Sequence, residues 1–292
     1  MTTNSRLRAF VEVAETGSVR AAAQRLFVTE SAVSAAITTL AREVGVPLME
    51  RNGRGVRLTG AGTLYASYAR TILGLHEQAT EAARDYGRPD KGMVRLAAVT
   101  TAGEHVLPGL LASFRHQHPR IQLRLEVAPR DQVWPMLTHH ETDVVVAGRP
   151  PDGFRGRVRA ITPNTLVVVG TPALAEGFTP ERATWLLREV GSGTRATCLA
   201  ILGELDVEPR QLTLGSHGAV VAGAVAGLGV TLVSREAVER HLEGGELVEI
   251  PILRTPMERP WHAVTNPEAP ASTELLVRHL LDVGGWRVAV RA

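Results

Sequence analysis

The sequence contains little of several residue types, and each shortage excludes a class of protein. Its single cysteine, Cys198, permits neither an internal disulfide nor a metal site built from several thiolates, and we expect it to be a small buried residue. The longest uncharged apolar run, residues 219–233, is too short for a membrane helix and is broken by three glycines. The N-terminal residues lack a signal-peptide pattern. We therefore expect a cytoplasmic protein that does not enter a membrane.

The composition allows several folded domains. The chain has 292 residues, of which 44% are hydrophobic, so there is room for two or three domains with their own cores. The net charge of only +2 excludes a polybasic protein that coats nucleic acid. The charge is uneven, because residues 1–60 contain eight Arg against five Glu. The excess of positive charge therefore lies at the N-terminus.

The first 60 residues have the pattern of three short helices. Apolar residues at helical spacing predict a helix over residues 5–15, and Gly17 ends it. Ser18 can cap a second helix over Val19–Leu26. After a tight turn, Thr29 can cap a third helix that runs from residue 30 to about residue 44. Two short helices joined by such a turn are typical of a helix-turn-helix motif.

The third helix has an apolar face and an opposite face of small polar residues. Val33, Ile37 and Leu40 are spaced to point into the core. Small side chains on the other face would let the helix lie close to base edges in the major groove of DNA, whereas a solvated surface face is the alternative. That face, with its capping residue, consists of Thr29, Glu30, Ser31, Ser34, Ala35 and Thr38.

A basic segment follows the third helix. Arg51, Arg54 and Arg57 alternate with Gly53 and Gly55, which predicts a small two-stranded wing. Guanidinium groups on such a ribbon suit contacts with backbone phosphates or with the minor groove. Phosphate contacts would supply most of the affinity and make it sensitive to salt.

Residues 20–62 carry a longer pattern that includes a pair of alanines before Leu26, the spacing Ser31-x-x-Ser34, and a Leu-Thr-x-Ala-Gly ending that starts at Leu58. This pattern resembles the DNA-binding segment of LysR-type transcriptional regulators. The resemblance implies a winged helix-turn-helix domain over residues 1–60 that binds pseudo-palindromic double-stranded DNA, with RNA polymerase as a candidate partner. Glu30 stands where the family commonly has Gln, so its carboxylate would either repel phosphate or accept from a cytosine amine.

Residues 61–90 predict a long linker helix that ends in a hinge. Apolar residues there step by four and three alternately over more than three heptads, which favours pairing with a second copy over a helix that packs only on its own domain. A two-fold dimer would present two recognition helices to one site, and the family resemblance agrees with a homodimer or homotetramer. The seam includes Tyr65, Tyr68, Ile72, Leu75 and Ala79.

Residues 91–292 alternate between strand and helix patterns. That alternation occurs twice, with the second series starting at residue 165, and it predicts two α/β lobes with parallel sheets and a ligand between them. The whole chain is thus an α+β multidomain protein. By its resemblance to the family, the effector domain is similar to periplasmic solute-binding proteins. Lobe one is expected over about 91–163 plus 267–292, and lobe two over about 164–266.

Three stretches follow predicted strands and open predicted helices, where hydroxyls and free backbone N–H groups can hold an anion. Ordinary helix capping is the alternative for each stretch alone, but three of them on facing lobes favour a binding cleft. Arg149 could supply a counter-charge or form a surface salt bridge. The candidate effector-binding residues are Thr100, Thr101, Arg149, Ser192, Gly193, Thr194 and His217.

The second lobe also resembles that of LysR-type regulators of sulfur assimilation and of Calvin-cycle carbon fixation, which implies an oxyanion or phosphorylated metabolite as effector. The alternatives are an aromatic or apolar carboxylic acid as effector, a solute-binding protein, or an enzyme that uses the same cleft. Residues 191–196 fit the dinucleotide pattern G-x-G-x-x-A but lack its acidic partner about twenty residues further on. Neither histidines at metal-ligand spacing nor a nucleophile–base pair emerges. We therefore expect no cofactor, no metal and no catalytic residues.

Overall fold

The computed structural model describes residues 3–53, 55–84, 86 and 90–289 of the chain. They divide into two compact units. Met1–Tyr86 and Thr138–Glu141 form the first unit, and Gly87–Leu137 with Thr142–Ala292 form the second. Each unit has its own hydrophobic core. No helix among the described residues is long and apolar enough to cross a membrane.

The first unit consists of three short helices, a two-stranded wing and a long helix, as predicted. The Ser18 hydroxyl accepts a hydrogen bond from Ala21 N, and the Thr29 hydroxyl accepts one from Ala32 N, both at 3.2 Å. These caps set the starts of the second and third helices. In chain order the elements are α1 (Thr3–Thr16), α2 (Val19–Leu26), α3 (Glu30–Val44), β1 (Met49–Asn52), β2 (Gly55–Leu58) and α4 (Gly60–Arg84).

The core of this unit joins α1, α3 and the first turns of α4. Phe10 and Leu40 are fully buried in it. Tyr65 of α4 lies edge-on against Phe10, with ring centroids 5.5 Å apart. Tyr65, which was predicted to lie in the heptad seam, is half-buried and packs against this core, because the N-terminal part of α4 runs against α1.

The second unit contains the remaining strands and helices. One helical turn has π geometry and leads directly into an α-helix. The elements, in chain order, are β3 (Gly92–Ala98), a π-helix (Ala102–Val106), α5 (Leu107–Gln117), β4 (Ile121–Val127), α6 (Arg130–Thr138), β5 (Val144–Ala147), β6 (Arg157–Thr162), β7 (Thr165–Gly170), α7 (Pro172–Ala175), β8 (Thr184–Leu187), α8 (Gly193–Glu204), β9 (Arg210–Thr213), α9 (His217–Val225), β10 (Thr231–Ser234), α10 (Arg235–Glu243), β11 (Val248–Glu249), β12 (Met257–Glu258), β13 (Trp261–Thr265), α11 (Ala271–Asp282) and β14 (Arg287–Val288).

The strands form two lobes. In lobe one a six-stranded sheet has the order β14-β6-β13-β5-β3-β4. In lobe two β7 pairs with β10, β11 and β12, and β8 pairs with β9. The predicted parallel pairing is correct for β4-β3-β5 and for β8-β9. It is wrong for β7 and β10, which pair antiparallel. The strands β13 and β14, for which the sequence pattern predicts no direction, also pair antiparallel. The sequence pattern of a short apolar strand does not encode its direction.

The chain crosses between the lobes twice. It leaves lobe one between β6 and β7, that is, between Thr162 and Thr165. It returns between β12 and β13, that is, between Glu258 and Trp261. The reason is that β13 pairs with both β5 and β6 and so completes the sheet of lobe one. Lobe two therefore ends near residue 258.

Asn164 holds the two crossing segments together. Its backbone carbonyl accepts from Arg259 N at 2.7 Å, and its side-chain amide donates to Arg259 O at 2.8 Å. Its side-chain carbonyl accepts from the Ser234 hydroxyl at 2.7 Å. Asn164 is 3% exposed, so these bonds replace water that it cannot reach. One buried amide thus ties the outgoing segment, the returning segment and the end of β10.

Replacing Asn164 with Ala should lower the free energy of unfolding of the second unit by about 2–4 kcal/mol, because a buried donor and acceptor would lose their partners. All four tryptophans lie in this unit, so tryptophan fluorescence in urea reports its unfolding alone. Gln211→Ala, at an exposed position of β9, is the control and should change little. A loss below about 1 kcal/mol for Asn164→Ala would show that the two crossings do not depend on this residue.

Candidate functional site

The exposed face of α3 has the composition that the sequence predicted. Val33 and Leu40 are buried on the opposite face, and Ile37 packs against the core. The side chains on the outer face therefore point away from the unit and are free to meet a partner. This exposed set contains Thr29, Glu30, Ser31, Ser34, Ala35 and Thr38.

The turn before α3 presents a second exposed feature that sequence reasoning missed. Phe27 adopts a left-handed conformation with φ of 54°, and 96% of its surface is exposed. At the start of α3 the Thr29 and Ser31 hydroxyls lie 3.0 Å apart. Because Thr29 also caps the helix, its hydroxyl is already engaged, whereas the carboxylate of Glu30 is exposed.

The wing places its arginines unequally. β1 and β2 pair antiparallel, with Arg51 opposite Val56 and Arg57 opposite Glu50. Arg57 Nε lies 2.8 Å from a carboxylate oxygen of Glu50, so part of its charge is neutralised on the wing itself. Arg51 is exposed and forms no ion pair with any described residue. Arg54 lies outside the described residues.

The outer face of α4 is apolar over several turns. Tyr68 is 64% exposed, Ile72 49% and Leu75 44%, and Ala79 is exposed as well. These four are the predicted seam residues other than Tyr65. Exposed large apolar side chains aligned on one helix face are typical of a surface that meets a partner.

The second candidate site is a cavity between lobe one and lobe two, with a volume of about 50 Å³. A water molecule needs about 10–15 Å³ of such volume, so the cavity suits a few waters or a small oxyanion. The ends of β3, β4, β5 and β8 and the start of α8 surround it, at the carboxyl edges of parallel strands. Its lining residues are Val99, Thr100, Thr101, Pro129, Arg130, Gly148, Asn164, Leu166, Arg188, Glu189, Ser192, Gly193, Thr194, Arg259 and Trp261.

The lining contains three arginines and one acidic residue. Arg188 is 5% exposed and donates two hydrogen bonds to Glu189, at 2.7 and 2.6 Å, so this pair is neutral. Arg130 and Arg259 pair with no carboxylate among the described residues. Arg130 donates to the Arg149 carbonyl, and its buried Nε has no partner in the part of the chain that the structure describes. Burial, followed by the charge of Arg130, lowers the pKa of Arg259.

The hydroxyls of the cleft are arranged to donate. Thr101 is 6% exposed, and its hydroxyl forms no capping bond at the start of the helix. Ser192 caps α8 by accepting from Arg195 N at 3.3 Å, which leaves its own O–H able to donate. Gly193 and Thr194 open α8, where backbone N–H groups have no partner within the helix.

Two glycines allow this loop to approach lobe one. Gly191 has φ of +89°, a conformation that side chains rarely adopt, and a Cβ there would come within 2.5 Å of an Asp131 carboxylate oxygen. A Cβ on Gly193 would meet Arg130 Cδ at 3.0 Å. The absence of side chains at these two positions therefore lets the Arg130 stem lie against the start of α8.

The structure brings together Thr100, Thr101, Ser192, Gly193 and Thr194, as the sequence predicted. It does not bring Arg149 or His217 to the cavity wall. Arg149 is exposed, because the chain turns outward after β5. His217, although it opens α9, lies beside the cavity, with its ring centroid 5.2 Å from that of His105. Burial, together with the nearby charges of Arg188 and His105, lowers the pKa of His217 to about 4.

The lining arginines 130, 188 and 259 were missed by sequence reasoning. Arg188 follows β8 directly, and Arg130, the first residue of α6, comes three residues after the end of β4. A basic residue just beyond the carboxyl end of a strand is a signal that could have found both. Arg259 could not have been found this way, because its place depends on where the chain returns to lobe one.

Cys198 is buried in the core of lobe two, as expected. Burial raises the pKa of its thiol to about 12. The thiol therefore stays protonated at neutral pH and is a poor nucleophile.

Comparison with known protein families covers both units. The family description "Bacterial regulatory helix-turn-helix protein, lysR family" matches residues 5–63, and "LysR substrate binding domain" matches residues 87–285. The transcriptional activator CmpR of Synechocystis is 30% identical over 87% of this chain and 86% of its own length. The regulator CbbR of Rhodospirillum rubrum is 32% identical over 88% of each. A relative titled RuBisCO operon transcriptional regulator, from Acidithiobacillus ferrooxidans, is 30% identical over 88% of this chain. These names agree with the predicted resemblance to regulators of carbon fixation.

Solved structures share the fold. The full-length LysR-family regulator CbnR in complex with its target DNA has a TM-score of 0.64 at 23% identity, covering 96% of this chain and 98% of that one. ArgP from Mycobacterium tuberculosis has a TM-score of 0.65 at 20% identity, covering 95% and 97%. The predicted α+β multidomain architecture is thereby confirmed. Because family descriptions cover both units and relatives at 30% identity or more span most of its length, the chain belongs to the LysR family and is a DNA-binding transcriptional regulator, not an enzyme.

Proposed function

We propose that the effector of this regulator is a small oxyanion, or a phosphorylated metabolite whose phosphate group binds in the cavity between lobe one and lobe two. The observation that carries the proposal is the pair Arg130 and Arg259, two guanidinium groups without a carboxylate partner beside one small cavity. Holding like charges together in a half-buried cavity costs free energy, and a bound anion would offset that cost. Planar guanidinium groups also match the geometry of phosphate and carboxylate oxygens.

The cavity walls come from both lobes. Thr101 and Arg130 belong to lobe one, and Ser192 with the first turn of α8 belongs to lobe two. A ligand held by both walls stabilises the arrangement in which the lobes are close, and only such differential binding can shift a population. In this proposal the effector changes the relative population of lobe arrangements, and through it the geometry of the paired DNA-binding units.

An aromatic or apolar carboxylic acid is the second candidate effector. Trp261, Leu166 and Val99 give the cavity an apolar wall against which such a ligand could pack. The small volume and the two unpaired arginines favour the oxyanion. The two candidates differ in the amount of positive charge they require from the arginines, because a carboxylate carries one negative charge and phosphate carries more.

Sulfate, phosphate or a phosphomonoester should raise the melting temperature of the protein. Saturation at about 100 times Kd adds about 2.7 kcal/mol, which corresponds to a shift of about 5–10 °C for a unit of this size. Arg130→Met should weaken anion binding by about 10–100-fold, since it removes a charge-assisted hydrogen-bond donor. Arg149→Met is the matched control, because its side chain is exposed and outside the cavity lining, and the substitution keeps the backbone carbonyl that accepts from Arg130. Differential scanning fluorimetry across anion concentrations measures both effects.

The double variant Thr101→Ala with Ser192→Ala should also lose the shift, measured against its own ligand-free melting temperature because Ser192 caps α8. A shift produced by aromatic acids but by none of these anions would contradict the oxyanion proposal and favour the second candidate. Equal loss of the shift in Arg149→Met and Arg130→Met would contradict the placement of the site.

We further propose that the exposed face of α3 and the wing contact DNA, with Arg51 on backbone phosphate. Arg51→Ala should weaken binding to all sequences similarly and reduce the slope of log affinity against log salt by about 1. Fluorescence anisotropy measures this slope with the DNA duplex upstream of the regulator's own coding region, at salt concentrations from about 50 to about 200 mM. Arg210→Ala, exposed in the second unit, is the control. An unchanged slope in Arg51→Ala would exclude the phosphate contact.

We also propose that the exposed seam of α4 pairs with a second copy of the chain, as a homodimer or within a homotetramer. The double variant Ile72→Asp with Leu75→Asp places two negative charges on this seam. It also removes the free energy gained by burying each apolar side chain in the interface, about 1.5–3 kcal/mol per side chain. Self-association should weaken by about 100-fold or more in sedimentation velocity. Leu228→Asp, on an exposed leucine of the second unit, should leave it unchanged. Intact oligomers in the double variant would refute the seam.

A further inference from the structure

A cluster of possible metal ligands lies outside the effector cavity and bridges lobe one and lobe two. Glu104 and His105 belong to the π-helix of lobe one, and His217 is the first residue of α9 in lobe two. One ligand atom from each lies within 4.8 Å of the others. Sequence analysis found no metal-ligand spacing because more than one hundred residues separate His105 from His217. Only the fold brings them together.

The distances suit a transition-metal ion after a small adjustment. The ring centroids of His105 and His217 are 5.2 Å apart at 71°, and His105 Nε2 lies 4.0 Å from a Glu104 carboxylate oxygen. Bonds of about 2.0–2.2 Å in a tetrahedral site put neighbouring ligand atoms about 3.4 Å apart. Glu104 and His105 are partly exposed, so rotation of their side chains can close the remaining gap.

His217 gives an independent reason to expect a ligand. It is 4% exposed, and its Nε2 atom is buried without a hydrogen-bond partner among the described residues. A buried polar atom without a partner is costly and is rare in folded proteins. A bound metal ion would give this Nε2 atom the partner that the described residues do not supply.

The surroundings do not oppose a cation. Arg188 and Arg240 are the nearby positive charges. Glu189 neutralises Arg188 through two hydrogen bonds, and Glu236 and Glu239 line the same cavity as Arg240. Glu104 adds a negative charge to the cluster itself. Glu104 and His105 also line a wide cavity of about 880 Å³ on the side of α10, which gives an ion a path from solvent. The π-helix that carries them is a geometry found often at functional sites.

We propose that Glu104, His105 and His217 form a binding site for a divalent transition-metal ion of the Zn²⁺ type, which links lobe one to lobe two. Two imidazoles and one carboxylate are ligands that Zn²⁺ accepts, and water would complete the coordination. Mg²⁺ and Ca²⁺ prefer oxygen ligands and are poor candidates for this set. The site is separate from the effector cavity, so it does not depend on the proposed anion.

Isothermal titration of the full-length, EDTA-treated and dialysed protein with ZnCl₂ tests the site. One Zn²⁺ per chain should bind, and MgCl₂ should give no saturable binding. His105→Ala and Glu104→Gln should each weaken Zn²⁺ binding by about 10-fold or more, since loss of even an indirect partner of a ligand costs that much. Both residues are partly exposed, so these variants should fold, which circular dichroism verifies. His217→Ala should abolish the site if it folds.

A control variant separates this site from surface histidines. His116 is exposed and lines neither cavity, so His116→Ala should leave Zn²⁺ binding unchanged. Substitution with Co²⁺ should give visible absorption bands that His105→Ala removes. Zn²⁺ binding that survives both His105→Ala and Glu104→Gln, or that disappears in His116→Ala, would overturn the proposal. The absence of saturable binding by Zn²⁺, Co²⁺ and Ni²⁺ would overturn it as well.

Discussion

The fold of the second unit depends on the two segments where the chain crosses between its lobes, and Asn164 is hydrogen-bonded to both. Asn164 lies on the outgoing segment. Its amide and carbonyl groups form hydrogen bonds, in place of water, with the backbone of Arg259 on the returning segment and with the Ser234 hydroxyl at the end of β10. Because these bonds are buried, the segments keep a fixed register. Asn164 also lines the cavity, so the contact that joins the lobes forms part of the wall against which a ligand would bind.

The charges of this unit follow from that arrangement. Arg259 lies on the returning segment and therefore meets Arg130 from lobe one, and each guanidinium lacks a carboxylate partner among the described residues. Of the three arginines in the cavity lining, Arg188 has a carboxylate partner, Glu189, whereas Arg130 and Arg259 have none among the described residues. Two like charges that share a half-buried cavity without such a partner cost free energy, so they point to a ligand and not to stability.

The elements that sequence analysis predicted well are the local ones. Helix caps at Ser18 and Thr29, and helical spacing of Val33 and Leu40, depend on residues a few positions apart, so α2 and α3 followed from the chain itself. The contact of Tyr65 with Phe10 was not predicted, because the heptad pattern cannot tell which apolar positions pack against α1. The direction of β13 was also open, because an apolar strand of five residues fits either a parallel or an antiparallel neighbour.

What the amino-acid sequence determined by itself was the class of protein, the order of its elements and the hydroxyl-bearing and glycine-rich starts of two helices. Each of these depends on neighbouring residues, where spacing and capping chemistry operate directly. Only the tertiary structure decided that Arg259, not Arg149, joins Arg130 at the cavity, and that Glu104, His105 and His217 meet. These residues lie far apart along the chain, and they become neighbours because the chain crosses from one lobe to the other and returns to complete the first sheet.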